Sequence, residues 1–220
     1  MKKRIMVLFG FLLAASFHIS PANAAVLFSD NFDNGIKPEW GNEVGTWYTD
    51  NGVYNSTYPS NSPLTYTSIT SLPNLTDFVV DFDVNNVIDG GVFLRAQDNQ
   101  HGILLATGGV FSGYTGLHWH VLNGGYTSTP LGLVYNVPNI PGGNVHITVE
   151  VIGNTYKAYV NGELRTTLLD DTYTSGRVAL YDFSAQTFDN FQISTPTPEP
   201  SSMILGLMGL GSMLGLRRRK

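Results

Sequence analysis

The residues that could do chemistry fall mostly on segments with a two-residue alternation, and that alternation decides which of them can act together. In Leu117-His118-Trp119-His120-Val121 the two imidazoles share one face, opposite Leu117, Trp119 and Val121. Two histidines two apart can ligate a metal, but a zinc site needs a third and a fourth ligand. None stands nearby in sequence, and His101 or His146 could join only through folding. The pair equally suits a polar sheet face or a sugar-contacting one. Arg95 and Gln97 alternate away from Val92, Leu94 and Ala96, and Tyr126 follows Gly124-Gly125. Planar donors beside aromatic rings are what neutral polyols require, namely directional hydrogen bonds and an apolar ring to lie on. Arg95, Gln97, His118, His120 and Tyr126 are therefore the expected carbohydrate-binding residues.

Asp81 and Asp83 project from one face of Asp77–Val84 with side chains about 7 Å apart, a separation that fits paired-carboxylate glycoside hydrolysis. The strand carries no glutamate, and the nearest downstream acid, Asp89, lies beyond it. A solvated strand face is the simpler reading, so no catalytic residue is assigned. The chain has no serine nucleophile elbow, P-loop, dinucleotide fingerprint or cysteine-based metal motif. A non-catalytic binding module is expected ahead of a glycoside hydrolase or lyase, with a ligand-free structural coat component as a third reading.

Charge narrows the partners. Seven of the 12 bases (Lys2, Lys3, Arg4, Arg217, Arg218, Arg219 and Lys220) lie at the two ends; setting these and Glu199 aside leaves five bases against sixteen acids, a net of −11. Such a middle repels phosphate polyanions, so nucleic-acid binding is excluded. Charged residues make up 13% of the chain, where about 25% is usual. The water-facing surface must then be built from uncharged polar groups, and residues 25–195 hold 17 Asn and 19 Thr. Neutral partners such as sugars suit that surface.

The elements that must position these residues are strands. Phe78, Val80, Phe82 and Val84 alternate with Asp81 and Asp83; Val145, Ile147, Val149 and Val151 alternate with His146, Thr148 and Glu150. Asn161-Gly162 joins Tyr156–Val160 to Glu163–Arg165 as a two-residue hairpin. Further strands are expected at 92–97, 101–106, 117–122, 177–181 and 188–193, about a dozen in all, which argues an all-β antiparallel sandwich. Phe188 is three positions from Phe191 while Phe191 and Ile193 keep the two-residue spacing, so a bulge is expected at Asp189-Asn190.

The ends have a different character. Met1-Lys2-Lys3-Arg4, the apolar run Ile5–Ile19 and the small residues Ala22 and Ala24 spell a Sec-type signal peptide (1–24), cut after Ala24. The chain has no cysteine, so the exported domain (25–194) must be held by its core alone. A Pro-rich linker (195–202) contains Pro198-Glu199-Pro200 and leads to an apolar helix and basic tail (203–220). Counted with two serines, that helix is about 24 Å long, slightly short for a bilayer core of about 30 Å, and its Arg cluster would stay cytoplasmic.

Polar spacer, Pro-Glu-Pro, short Gly-rich helix and terminal Arg cluster together resemble the PEP-CTERM sorting signal. The resemblance implies an exosortase-type membrane peptidase as partner, transient residence in the inner membrane of a Gram-negative bacterium through the C-terminal helix, and delivery to the cell surface or an exopolysaccharide matrix. Phe28-Ser29-Asp30-Asn31-Phe32-Asp33 followed by Trp40, Gly45-Thr46-Trp47, Val92–Asp98, and Thr174–Leu180 leading to Phe188-Asp189-Asn190-Phe191 resemble concanavalin A-like, laminin-G-like jelly rolls. That resemblance implies two curved antiparallel sheets with first and last strands adjacent, a sugar site on the concave sheet or rim, and in many members a structural calcium, here at Asp30 and Asp189. Two acids supply too few oxygens for calcium without carbonyls, and both residues could equally cap turns. No cofactor is required. Glucanases of this fold carry Glu-x-Asp-x-Glu along one strand, from which Asp81-Phe82-Asp83 departs.

Overall fold

The computed structural model describes residues 24–125, 129–184 and 186–197; Tyr126, the signal-peptide residues 1–23 and the Pro198-Glu199-Pro200 motif lie outside them. The alternation read from the sequence produces fourteen strands among the described residues, all paired antiparallel. One sheet runs β12 (Glu163–Leu169), β11 (Thr155–Val160), β10 (Val145–Ile152), β5 (Phe78–Asn85), β14 (Thr187–Ser194), β3 (Val53–Thr57), β2 (Thr46–Asp50), and β1 (Val26–Asp30) pairs with β14. First and last strands are thus adjacent, and Thr195 donates its backbone N–H to the Ala25 carbonyl at 2.9 Å. The other sheet runs β4 (Thr65–Ser68), β13 (Arg177–Asp182), β6 (Asp89–Asp98), β7 (His101–Gly108), β8 (Leu117–Asn123), β9 (Leu131–Val134).

Between the sheets lies one apolar layer. Phe78, Val80, Phe82 and Val84 from β5 meet Val92, Leu94, Ile103, Leu105 and Trp119 from the six-stranded sheet, all wholly buried. Each such side chain contributes about 1.5–3 kcal/mol relative to exposure, which is how a chain without disulfides holds together. Trp40 and Trp47 join this core as expected. The Asn161-Gly162 turn has φ of +51° and +79°, both positive as a two-residue hairpin of this hand requires.

β6 departs from strict alternation. Phe93 pairs with Leu104 and Leu94 with Ile103, but Asp98 pairs with His101. Four steps along β6 therefore match two along β7, and Arg95 sits in the left-handed region at φ +50°. This bulge turns Arg95 inward rather than outward. Its Nε donates to the Thr76 carbonyl at 3.0 Å, Nη1 to the Tyr156 hydroxyl at 3.1 Å and the Tyr173 carbonyl at 3.0 Å, and Nη2 to the Gly153 carbonyl at 2.7 Å. The guanidinium lies 5.3 Å from the Tyr156 ring centre, and the residue is 2% exposed. The expectation that Arg95 and Gln97 share an open face is corrected here: alternation cannot be carried through a bulge.

The same bulge bends the sheet. β13 pairs Asp182 with both Thr65 and Gly90, so the start of β4 is level with the start of β6. In a flat ribbon Asn99, at the far end of β6, would lie about 30 Å from that level. Instead Asn99 Nδ2 donates to the Leu64 carbonyl at 3.4 Å. The β6–β7 tip therefore folds back over the outer face of its own sheet, where Leu64, Tyr66, Phe93, Leu104, Leu122 and Tyr181 form a second buried cluster.

Arg95→Ala should be destabilised, because it empties a buried position and removes the hydrogen bonds to the Thr76, Gly153 and Tyr173 carbonyls and to the Tyr156 hydroxyl. A loss of about 1.5–3 kcal/mol is expected, read as a melting temperature lower by roughly 5 °C. Gln97→Ala should stay within about 0.5 kcal/mol of wild type. Equal melting temperatures for both variants would contradict the inward clamp.

Candidate functional site

Where the folded-back tip meets the segment before β4, two pieces of polar chain face each other. Tyr58–Leu64 is a tight loop: Thr65 N–H donates to the Ser60 carbonyl and Ser60 N–H to Thr65 Oγ1, each at 2.7 Å, and Ser62 N–H donates to Ser60 Oγ at 3.1 Å. Opposite it, Gln100 N–H donates to Asp98 Oδ1 at 2.7 Å. The Gln100 carbonyl accepts from Gly124 and Gly125 N–H at 3.1 and 3.0 Å. The two glycines have φ of +89° and +113°, and a Cβ at either would meet nothing within 4 Å. Between the pieces is an open cavity of about 340 Å³ lined by Asn61, Ser62, Pro63, Leu64, Gln100, Gly124 and Gly125. That volume lies at the small end of ligand pockets, about 300–1,000 Å³. None of these seven residues is charged.

The sequence candidates are not gathered at one open place. His118 and His120 do share the outer face of the six-stranded sheet, with ring centroids 4.9 Å apart and Phe111 5.9 Å from each. Both are buried, at 1% and 0% exposure. Desolvation pulls each imidazole down to about 4, His118 adding to the effect on His120, so both are neutral near pH 7. Gln97 is exposed beyond the bend and donates to the Ser175 carbonyl at 2.8 Å. Arg95 points into the sandwich. Of the expected sugar-binding segment, Gly124-Gly125 does line the rim cavity, while Tyr126 lies outside the described residues.

Asp30 and Asp189 do not converge either. The bulge at Asp189-Asn190 is present: Asp189 pairs with Asp83 and Gln192 with Asp81, and Asn190 has φ +48°. Asp30, opposite Phe191, turns into the core. Its oxygens accept from Phe32 N–H at 3.1 Å, Trp40 Nε1 at 3.0 Å and Lys37 N–H at 3.4 Å. Asp189 stands on the outer face instead. Burial, then the charges of Asp83 and Asp33, raise its pKa against the pull of the Asn190 N–H. The pair is thus divided between opposite faces of one sheet, and among the described residues no group of three His, Asp or Glu is placed to hold a metal ion.

Asp81 and Asp83 form the solvated face that the simpler reading expected. His146 Nδ1 lies 2.7 Å from Asp83, Thr148 Oγ1 donates to Asp81 at 2.6 Å, and Asn190 Nδ2 donates to Asp83 at 2.8 Å. All of this is on the eight-stranded sheet, away from the rim cavity. The most perturbed acid is Asp182, wholly buried where the sheets meet. Ser56 Oγ donates to it at 2.6 Å and Ser184 N–H at 3.1 Å. Desolvation first, with Asp89 adding negative charge, pushes its carboxyl up to about 7; Asp89 itself is raised to about 6 by burial. A carboxyl near 7 has the acidity of a general acid, but Asp182 is wholly buried. Sequence reasoning missed Asp182 because nothing local distinguishes Tyr181-Asp182 from a strand end. It missed Asn61, Ser62, Pro63 and Gln100 because hairpin tips and turn runs carry no period; Tyr58–Pro63, rich in turn formers, was the available signal.

Residues 196–220 match the PEP-CTERM protein-sorting motif, which marks an exported protein sorted to the surface by an exosortase. No curated protein matches the chain in sequence. Among solved structures the fold is similar to the carbohydrate binding module CBM66 from Bacillus subtilis, with a TM-score of 0.60 and 17% identity over 71% of this chain and 96% of that one. It is also similar to the catalytic domain of an endo-1,3-beta-glucanase (laminarinase) from Thermotoga petrophila, with a TM-score of 0.54 and 12% identity over 78% and 98%. The Emp47p carbohydrate recognition domain gives 0.50 and 16% over 78% and 95%. These likenesses define the class as a jelly-roll β-sandwich.

Asp182 supplies a pH dependence with a definite sign. Its folded pKa lies above the unfolded value of about 3.9, so the stability it contributes is fully present below that value and is lost as pH rises through about 7. His118 and His120 act oppositely, their contribution fading as pH falls from about 6.5 toward about 4. Asp182→Asn isolates the acid: relative to wild type, its melting temperature should be several degrees more favourable at pH 8 than at pH 5. A constant difference across that range would show that Asp182 ionises normally.

Proposed function

We propose that the protein is a non-catalytic glycan-binding module of the bacterial surface or extracellular matrix, and that it holds neutral polysaccharide in the rim cavity. Export by the Sec route in a Gram-negative cell and loss of the C-terminal tail to an exosortase belong to the same reading. The carrying observation is the cavity itself: amides of Asn61 and Gln100, a serine hydroxyl, a proline ring and open glycine backbone, with no acid or base among them. Such a lining offers hydrogen bonds to hydroxyls and nothing to an ionic ligand. The fold shared with a carbohydrate binding module and a carbohydrate recognition domain supports it, as does the charge-poor, Asn- and Thr-rich surface. Each hydrogen bond to a well-hydrated hydroxyl nets only about 0.5–1.5 kcal/mol. Weak single-site affinity follows, with useful retention coming from many copies on one matrix.

The Ala24–Pro196 unit contains both clusters and both paired chain ends, so it is the material for affinity electrophoresis through gels of neutral polysaccharide. Wild type should be retarded, and Asn61→Ala and Gln100→Ala should each weaken retention about two- to tenfold, with Gln97→Ala unchanged. Full retention of the Asn61/Gln100 double variant would remove the cavity from the account. No retardation of wild type in any gel would favour the ligand-free coat component.

A further inference from the structure

Beside the rim cavity one tyrosine stands in an unusual state. Tyr58 is 93% exposed and has φ +53°; Tyr114 shares the positive φ but is 48% exposed, and Tyr54, Tyr66, Tyr156 and Tyr181 are buried. A bulky side chain in the left-handed region is strained, and Pro59 restricts the residue before it further. Just beyond it the loop is closed by hydrogen bonds that Ser60 and Thr65 exchange through backbone and hydroxyl groups. The Tyr58 ring itself stands in water. From Tyr58 to Asn61 is three Cα steps, at most about 11 Å, roughly the span of a disaccharide.

We propose that Tyr58 is a stacking residue that extends the rim cavity into a site for a neutral, gluco-configured β-linked chain; this rests on the glycan-binding reading. A pyranose with equatorial hydroxyls presents C–H groups on its faces and hydroxyls around its edge. One such face lies on the Tyr58 ring, while the next units of the chain place hydroxyls against Asn61, Ser62 and Gln100. Two modest contacts linked through one chain reinforce each other, so the site selects oligomers over single sugars.

The test is calorimetric titration of the processed protein with β-linked gluco-oligosaccharides of one to six units. Wild type should bind the longer oligomers and favour them over glucose. Tyr58→Ala should lose about three- to tenfold in affinity for the hexamer with an unchanged melting temperature, since the ring is exposed, and Tyr58→Phe should retain wild-type affinity. Wild-type hexamer affinity in Tyr58→Ala would overturn the stacking role. Binding of another neutral polysaccharide but of no gluco-oligosaccharide would overturn the ligand class while leaving the glycan reading intact. Binding of no glycan at all would bring down that reading itself.

Discussion

Four steps of β6 against two of β7, between Leu94 and Asp98, set the geometry on which the rest of the molecule depends. The surplus turns Arg95 from the outer face to the inner one, where its guanidinium ties the six-stranded sheet to Tyr156 of β11 and to the carbonyls of Thr76, Gly153 and Tyr173. A buried charge is stable only when its donors are met, and the four partners come from three segments, at Thr76, Gly153–Tyr156 and Tyr173. The same surplus bends the β6–β7 tip over its own sheet until Asn99 reaches Leu64. Without that bend the rim cavity would lack one wall. One local departure from regular strand structure thus holds the layers together and shapes the opening between tip and loop.

The two faces of the six-stranded sheet have consequently both become interior. The inner one is the main core; the outer one carries Phe93, Tyr66, Tyr181 and Leu104 as a second cluster, with neutral His118 and His120 beside Phe111. Open polar surface is found at the rim, where turns present amides and glycine backbone. On the proposed reading, weak neutral contacts repeated on a polymer suit a protein sorted to the surface.

The regular parts of this arrangement were legible in the sequence because period two survives wherever a strand has one wet face. Phe78–Val84 and Val145–Val151 show it, and so do the Asn161-Gly162 turn and the Asp189-Asn190 bulge, whose shifted phenylalanine spacing is visible in the string. The β6 bulge was not legible, since Val92-Phe93-Leu94-Arg95-Ala96 has apolar residues at odd and even positions alike and no spacing marks the extra residues. Arg95 was therefore sent to the wrong face. The inward turn of Asp30 was not legible for a related reason: a carboxylate inside a Phe/Trp cluster looks from sequence like any acid in a loop, although Trp40 Nε1 engages it. Gly124-Gly125 stood in the sequence only as neighbours of Tyr126, and Gln100 and Asn61 face them only after the hairpin folds back.

The central claim is that glycan is held at the rim between the Tyr58–Leu64 loop and the folded-back tip. Backbone amide chemical-shift mapping of the isotope-labelled domain, titrated with a soluble β-glucan oligosaccharide, reads that location directly. Saturable shifts confined to Tyr58, Asn61, Ser62, Leu64, Asn99, Gln100, Gly124 and Gly125 are the result the account predicts. Saturable shifts centred instead on the Asp81–His146 face of the eight-stranded sheet, with the rim amides unmoved, would contradict it.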